Sequence, residues 1–154
     1  MDLGLKDKVA VVTGASRGLG KAIAHTLAAE GAALALCSRA EKDIKETAQE
    51  ISSRHGVKVH GEARDLLSPG VAEEFVVSAA KRFGFVDILV NNVGAGLSKA
   101  FEDLSEEEWQ RVLDLNLRVA IRCCRAVLPA MKQRASGRIV NLAALSGKVP
   151  RLGQ

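Results

Sequence analysis

Directly behind the apolar run Val9-Ala10-Val11-Val12, the chain reads Thr13-Gly14-Ala15-Ser16-Arg17-Gly18-Leu19-Gly20 and passes into a helix-like stretch. A strand that ends in glycines and turns at once into a helix builds an anion site. The first N–H groups of the helix have no intrahelical partner, and the helix dipole places its positive end there. Missing side chains let a pyrophosphate approach the backbone. The Gly-x-x-x-Gly-x-Gly spacing is a variant of the dinucleotide fingerprint, set between strand and helix as that fingerprint requires. The same glycines could also serve only a tight turn. A Walker-type phosphate loop ending at Gly20-Lys21 is excluded, because it needs glycine at 15 and a hydroxyl at 22, where the chain has Ala15 and Ala22.

Strand-like and helix-like segments alternate along the rest of the chain. Residues 9–12, 32–37, 57–63, 86–90 and 138–142 read as strands. Residues 18–30 carry Ile23, Leu27 and several alanines on one side, and Gly31 stands where a helix stops. Ile44, Ala48 and Ile51 recur at helical spacing in a charged segment closed by Gly56. Ser68-Pro69 suggests a cap and first turn for a helix running to Gly84. Ser105-Glu106-Glu107-Glu108 reads as a capping box before a long helix, 106–131, carrying Trp109, Val112, Leu113, Leu117 and Ile121. Its apolar positions, with Val127 and Leu128, exceed what one core-facing stripe needs. Unbroken alternation predicts an α/β fold, a doubly wound parallel sheet of Rossmann type with helices on both faces. In such a sheet ligands bind beyond the carboxyl ends of the strands.

Bulk properties narrow the classes. The 154 residues make one domain at most, and the core is aliphatic because 47% of residues are apolar but only 3% aromatic. No run has the length of a membrane span and the N-terminus lacks a signal pattern, so a soluble, cytoplasmic protein is expected. Three cysteines, Cys37, Cys123 and Cys124, have no metal or redox spacing and read as reduced, buried thiols. Net charge is +4, but the basic residues are dispersed among 18 acids, which argues against nucleic-acid binding. The isolated lysines and His25, His55 and His60 lack partners at useful spacing and read as surface residues.

The polar residues fall at strand ends. Ser38-Arg39 follows the second strand, where a carboxylate would favour NAD and an arginine accommodates the 2′-phosphate of NADP. Arg17 could reach the same phosphate, unless both arginines are simply solvated. Asp65, closing the third strand, suits either an adenine amino group or an ordinary turn. Asn91-Asn92-Val93-Gly94 ends the fourth strand with donors, acceptors and room for a ribose or nicotinamide.

The glycine loop, Asp65, the Asn-Asn-Val-Gly segment and Asn116 in Leu115-Asn116-Leu117 together resemble a short-chain dehydrogenase/reductase. The flavour is that of NADPH-dependent 3-oxoacyl-(acyl carrier protein) reductases and related carbonyl or alcohol oxidoreductases. The resemblance implies NADP(H) as cofactor, with Gly14, Ser16, Arg17, Gly18, Leu19 and Gly20 at the pyrophosphate and adenosine end. It implies Ser38 and Arg39 at the 2′-phosphate, Asp65 and Leu66 at the adenine, and Asn92, Val93 and Gly94 at the ribose and nicotinamide. Asn116 would match the active-site asparagine that orders a water in a proton relay. A small-molecule carbonyl or alcohol substrate follows, as does a homodimer or homotetramer formed through the long helix.

The catalytic pattern is interrupted. The family's acid/base is a tyrosine with a neighbouring lysine, aided by a serine hydroxyl, and this chain contains no tyrosine. The Tyr-x-x-x-Lys segment is expected beyond Gln154, which makes residues 1–154 a dinucleotide-binding domain incomplete at its C-terminus, without the last strands and helices. In Val140-Asn141-Leu142-Ala143-Ala144-Leu145-Ser146-Gly147 the serine position holds Ala144, with Ser146 two residues along. The alternative class is a nucleotide-binding module or inactive relative with a regulatory or assembly role.

Overall fold

The computed structural model describes residues 3–145. Five strands, β1 (Val9–Thr13), β2 (Ala33–Ser38), β3 (Val59–Ala63), β4 (Ile88–Asn91) and β5 (Arg138–Asn141), form one sheet in the order β3-β2-β1-β4-β5. Every pairing is parallel, as unbroken alternation of strand and helix requires. The order reverses direction at β1, so β1 and β4 flank the switch point where ligands enter such sheets.

All five residues of β1 are buried, because helices cover both faces of the sheet. On one face, Ala10, Val12, Leu34 and Leu36 meet Ala24 and Ala28 of α1 (Gly18–Ala29) and Ile44 and Ile51 of α2 (Glu41–His55). On the other, Val11, Ala35 and Leu89 meet Phe75 of α3 (Val71–Phe83) together with Val119, Cys123 and Val127. Burying each large side chain of this kind contributes roughly 1.5–3 kcal/mol.

Strand ends shift by up to two residues from the expected ones, as ends generally do. Two expectations change more substantively. The helix assigned to Ser68-Pro69 begins only at Val71, with Gly70 at its N-cap in a left-handed conformation, φ 79°. Ser68 and Pro69 are spent on a turn instead: Ser68 N–H donates to the Asp65 carbonyl at 3.1 Å and Val71 N–H to the Ser68 carbonyl at 3.2 Å. The long helix is present over this span but is not α-helical throughout. α4 (Glu106–Leu113) starts from the expected Ser105–Glu108 capping box, but a π-helical turn at Asp114–Arg118 separates it from α5 (Val119–Gln133). One side of this composite buries Val119, Cys123, Val127 and Met131, while Leu113, Leu117, Ile121 and Leu128 stay exposed.

The thiols and histidines need adjustment too. Cys37 and Cys123 are buried but Cys124 only half-buried. Burial drives the Cys37 thiol far up and that of Cys123 to about 12, so both stay protonated. The histidines are not free surface residues. His60 Nε2 lies 2.9 Å from Glu62, and His25 lies 3.1 Å from Glu50 and 3.2 Å from His55 across the α1–α2 seam. Lys21 reaches the same Glu50 at 2.6 Å.

Partial burial, then His25, then Arg54 hold His55 below its ordinary value of 6.5. The unfolded chain therefore takes up protons at higher pH than the folded one, and this contribution to stability is complete above about 6.5 and shrinks below it. Urea midpoints should fall from about pH 7 to about 5.5, and His55→Gln should flatten that slope. An identical slope in the variant would detach the effect from this pair.

Among the described residues no helix is long and apolar enough to cross a membrane.

Candidate functional site

The glycine loop leaves the carboxyl end of β1 and is held from several sides. Gly14 has φ 67° and Gly18 φ 56°, conformations open to glycine at little cost. Ala15 N–H donates to the Cys37 carbonyl at 3.0 Å, tying the loop to the end of β2. Arg17 is the N-cap of α1, and no side chain caps the helix. The N–H groups of its first turn thus face the cleft without a side-chain partner. At Gly20 a methyl group would strike the Gly14 carbonyl, which explains the third glycine of the motif.

Asn92 joins the loop to the end of β4. Its Nδ2 donates to the Thr13 and Gly14 carbonyls at 2.9 and 3.0 Å. Thr13 was not singled out by sequence reasoning, yet its buried hydroxyl accepts the Asn92 and Val93 amides at 3.0 and 3.1 Å. The signal was a lone hydroxyl closing an apolar strand. Asn91 points elsewhere, donating to Asn141 of β5 at 2.8 Å.

Asn116 sits within the π turn and grips the far wall. Its Oδ1 accepts the Ala95 amide at 3.1 Å, while Nδ2 donates to the Ala95 and Val112 carbonyls at 2.8 and 2.9 Å. A methyl group on Gly94 would lie 2.7 Å from that Oδ1, so the clamp and the glycine require each other. Widened turns of this kind recur at functional sites because they re-aim a side chain. Both amide protons of Asn116 are committed, so its side chain holds the Gly94-Ala95 segment.

The cleft between these walls is lined by Gly14, Ser16, Arg17, Gly18, Leu19 and Gly20 from the loop, and by Ser38 and Arg39 after β2. Asp65, Leu66, Asn92, Val93 and Gly94 complete it, so thirteen residues chosen from sequence converge there, with Asn116 behind Gly94. Cys37, Asp43, Arg64 and Leu115 also border the cleft and were not chosen. The Ser38 hydroxyl donates to the Ala40 carbonyl at 3.2 Å. Arg17 and Arg39 are exposed and form no ion pair among the described residues. Asp65 Oδ1 accepts the Leu67 amide at 3.2 Å in a turn, and the residue borders the cleft. The Leu66 side chain belongs to the core. Ala144 follows β5 in the exposed segment and offers no hydroxyl, whereas Ser146 lies outside the described residues.

The family model for short chain dehydrogenase matches residues 8–154. The chain belongs to that family. Among similar proteins, an uncharacterised oxidoreductase of Staphylococcus saprophyticus is 39% identical over 93% of this chain and 61% of its own length. The uncharacterised oxidoreductase YvrD of Bacillus subtilis is 39% identical over 97% of this chain and 56% of its own length. This short-chain dehydrogenase chain therefore spans about 60% of such relatives. Among solved structures, L-sorbose reductase of Gluconobacter frateurii, complexed with NADPH and L-sorbose, superposes with TM-score 0.96 at 36% identity, covering 100% of this chain and 59% of that one. An alcohol dehydrogenase of Thermococcus sibiricus, complexed with 5-hydroxy-NADP, has TM-score 0.81 at 41% identity over 86% of this chain and 57% of that one. The parallel five-stranded sheet with flanking helices is thus the N-terminal part of a short-chain dehydrogenase fold.

Proposed function

We propose that the protein interconverts a carbonyl and an alcohol with NADP(H) as hydride carrier. The observation that carries this reading is a cleft combining an uncapped helix N-terminus with two arginines that form no ion pair among the described residues. These residues fit the dinucleotide. The first-turn amides of α1 would receive the pyrophosphate, Arg17 and Arg39 the 2′-phosphate, and the Ser38 hydroxyl would donate to that phosphate in place of the Ala40 carbonyl. Asp65, with the oxygen left over from its turn, and the wall above Leu66 would border the adenine. Asn92 would keep Gly14, and Thr13 would keep Val93, in place at the ribose, with Asn116 holding the Gly94-Ala95 segment beside the nicotinamide. When bound, the cofactor supplies the hydride. The relatives complexed with NADPH and 5-hydroxy-NADP support this assignment.

Carbonyl reduction also needs a proton donor at the oxygen, worth roughly 10²–10⁴-fold in rate. No tyrosine occurs in the chain, and Ala144 cannot polarise a carbonyl. The acid is therefore assigned to a Tyr-x-x-x-Lys segment beyond Gln154 in a longer, cytoplasmic protein, with residues 1–154 as an incomplete dinucleotide domain. The substrate class is a 3-oxoacyl thioester or another small ketone. The test is loss of NADPH absorbance with ketones, quinones and 3-oxoacyl thioesters, run on the 154-residue polypeptide and on the full-length gene product. Turnover by the full-length product alone is expected. Robust turnover by the 154 residues would overturn the assignment of the acid. NADPH binding without turnover by either would favour the second reading, a non-catalytic nucleotide-binding module, which Ala144 and the lack of any tyrosine in these 154 residues support.

The exposed stripe Leu113, Leu117, Ile121 and Leu128 supports assembly as a homodimer or homotetramer through α4 and α5. Light scattering of the full-length product at micromolar concentration should give a multiple of the protomer mass, and a monomer would contradict it.

A further inference from the structure

The glycine loop has one more anchor, and it comes from α2. Thr47 lies in the middle of that helix and is only 2% exposed. A mid-helix threonine hydroxyl ordinarily bonds the carbonyl one turn back in its own helix. Thr47 Oγ1 instead donates across 31 residues of sequence to the Ser16 carbonyl, at 3.2 Å. We propose that Thr47 is a positioning residue for dinucleotide binding, fixing the Ser16–Arg17 peptide so that the Arg17 amide faces away from α2.

The argument runs through the geometry of the peptide unit. No peptide bond in the described chain is cis, so the Ser16 carbonyl and the Arg17 N–H point in opposite directions from one plane. Pinning the carbonyl to α2 turns the N–H to the other side of the loop. The two preceding groups are fixed in the same manner: the Ala15 amide on Cys37, and the Gly14 carbonyl on Asn92. Without Thr47 the loop would be set as far as Ala15, and the Ser16 carbonyl would lose its hold ahead of Gly18, whose φ is 56°. Arg17, as N-cap, carries the start of α1 with it. The same hold therefore orients the helix amides and places the arginine assigned to the 2′-phosphate. The inference rests on the nucleotide reading above.

Calorimetric titration of NADPH into the full-length gene product tests it, comparing wild type with Thr47→Val and Thr47→Ser. Losing one oriented hydrogen bond predicts a Kd about five- to tenfold higher in Thr47→Val. Thr47→Ser keeps the hydroxyl and should remain within about twofold of wild type. Hydrogen exchange of the NADPH-bound protein adds a readout that a general loosening of α2 would not give: the Arg17 amide should exchange faster in Thr47→Val while Ile44 and Ile51 amides stay protected. An unchanged Kd in Thr47→Val, or a loss that serine does not restore, overturns the proposal. Failure of the wild type to bind NADPH overturns the nucleotide reading itself, and that result is separable because it precedes any variant.

Discussion

Asp87→Ala should lower unfolding free energy by about 2–4 kcal/mol in urea denaturation, among the largest single effects in this chain. Asp87 is 4% exposed and stands just before β4. Its Oδ2 accepts the Val9 amide at 2.9 Å, and its Oδ1 pairs with Arg134 Nη2 at 3.0 Å. Its own amide donates to the Val9 carbonyl, and its carbonyl accepts the Arg138 amide. One residue thus stitches the starts of β1 and β5 to β4 and to the end of α5, where the Arg134 guanidinium also lies 3.8 Å over the Phe85 ring. Removing the carboxylate strands a buried amide, which costs more than the hydrogen bond itself stabilised. The Arg134 side chain is 34% exposed, so its share is screened and the estimate stays below that for a fully buried pair. Asn in place of Asp retains one acceptor and should recover about half the loss. A loss below about 1 kcal/mol in Asp87→Ala would contradict this account.

Arg39→Ala should weaken NADPH binding by the full-length product about tenfold, and Arg17→Ala with Arg39→Ala about a hundredfold, with NADH binding little changed. Guanidinium–phosphate bonds are charge-assisted and frequently two-pronged, and neither arginine spends its charge on a carboxylate among the described residues. Only the 2′-phosphate distinguishes the two cofactors, so the effect should appear as lost discrimination. Arg39→Lys should restore part of the affinity, because an ammonium supplies charge without the fork. Equal NADH and NADPH affinity in the wild type would overturn the assignment of both residues.

Much of the site was legible because its signals are local. Gly14, Gly18 and Gly20 announce backbone that a side chain would obstruct, and the Ser105–Glu108 box announces a helix start within four residues. The Ser68-Pro69 reading failed by the same locality: the pair suits a helix start and a turn equally, and the bond from Ser68 back to Asp65 decided between them. The apolar period of 106–131 is unbroken in sequence, yet the backbone widens at Asp114–Arg118, where Asn116 bonds Ala95, 21 residues away. Nothing in the helical pattern carries that partner.

The sequence by itself determined the strand and helix order, and through it the parallel sheet, the glycine loop at the end of β1 and the strand-end placement of Asn92 and Arg39. Apolar period and turn chemistry act over a few residues, so they can be read along the chain. Only the tertiary structure decided what each polar group does. Thr13 serves Asn92 across 79 residues, Asp87 serves Val9 across 78, and Thr47 serves Ser16 across 31. A buried polar group must find a partner or bear the cost of desolvation, and that partner is set by which strand end the chain returns to.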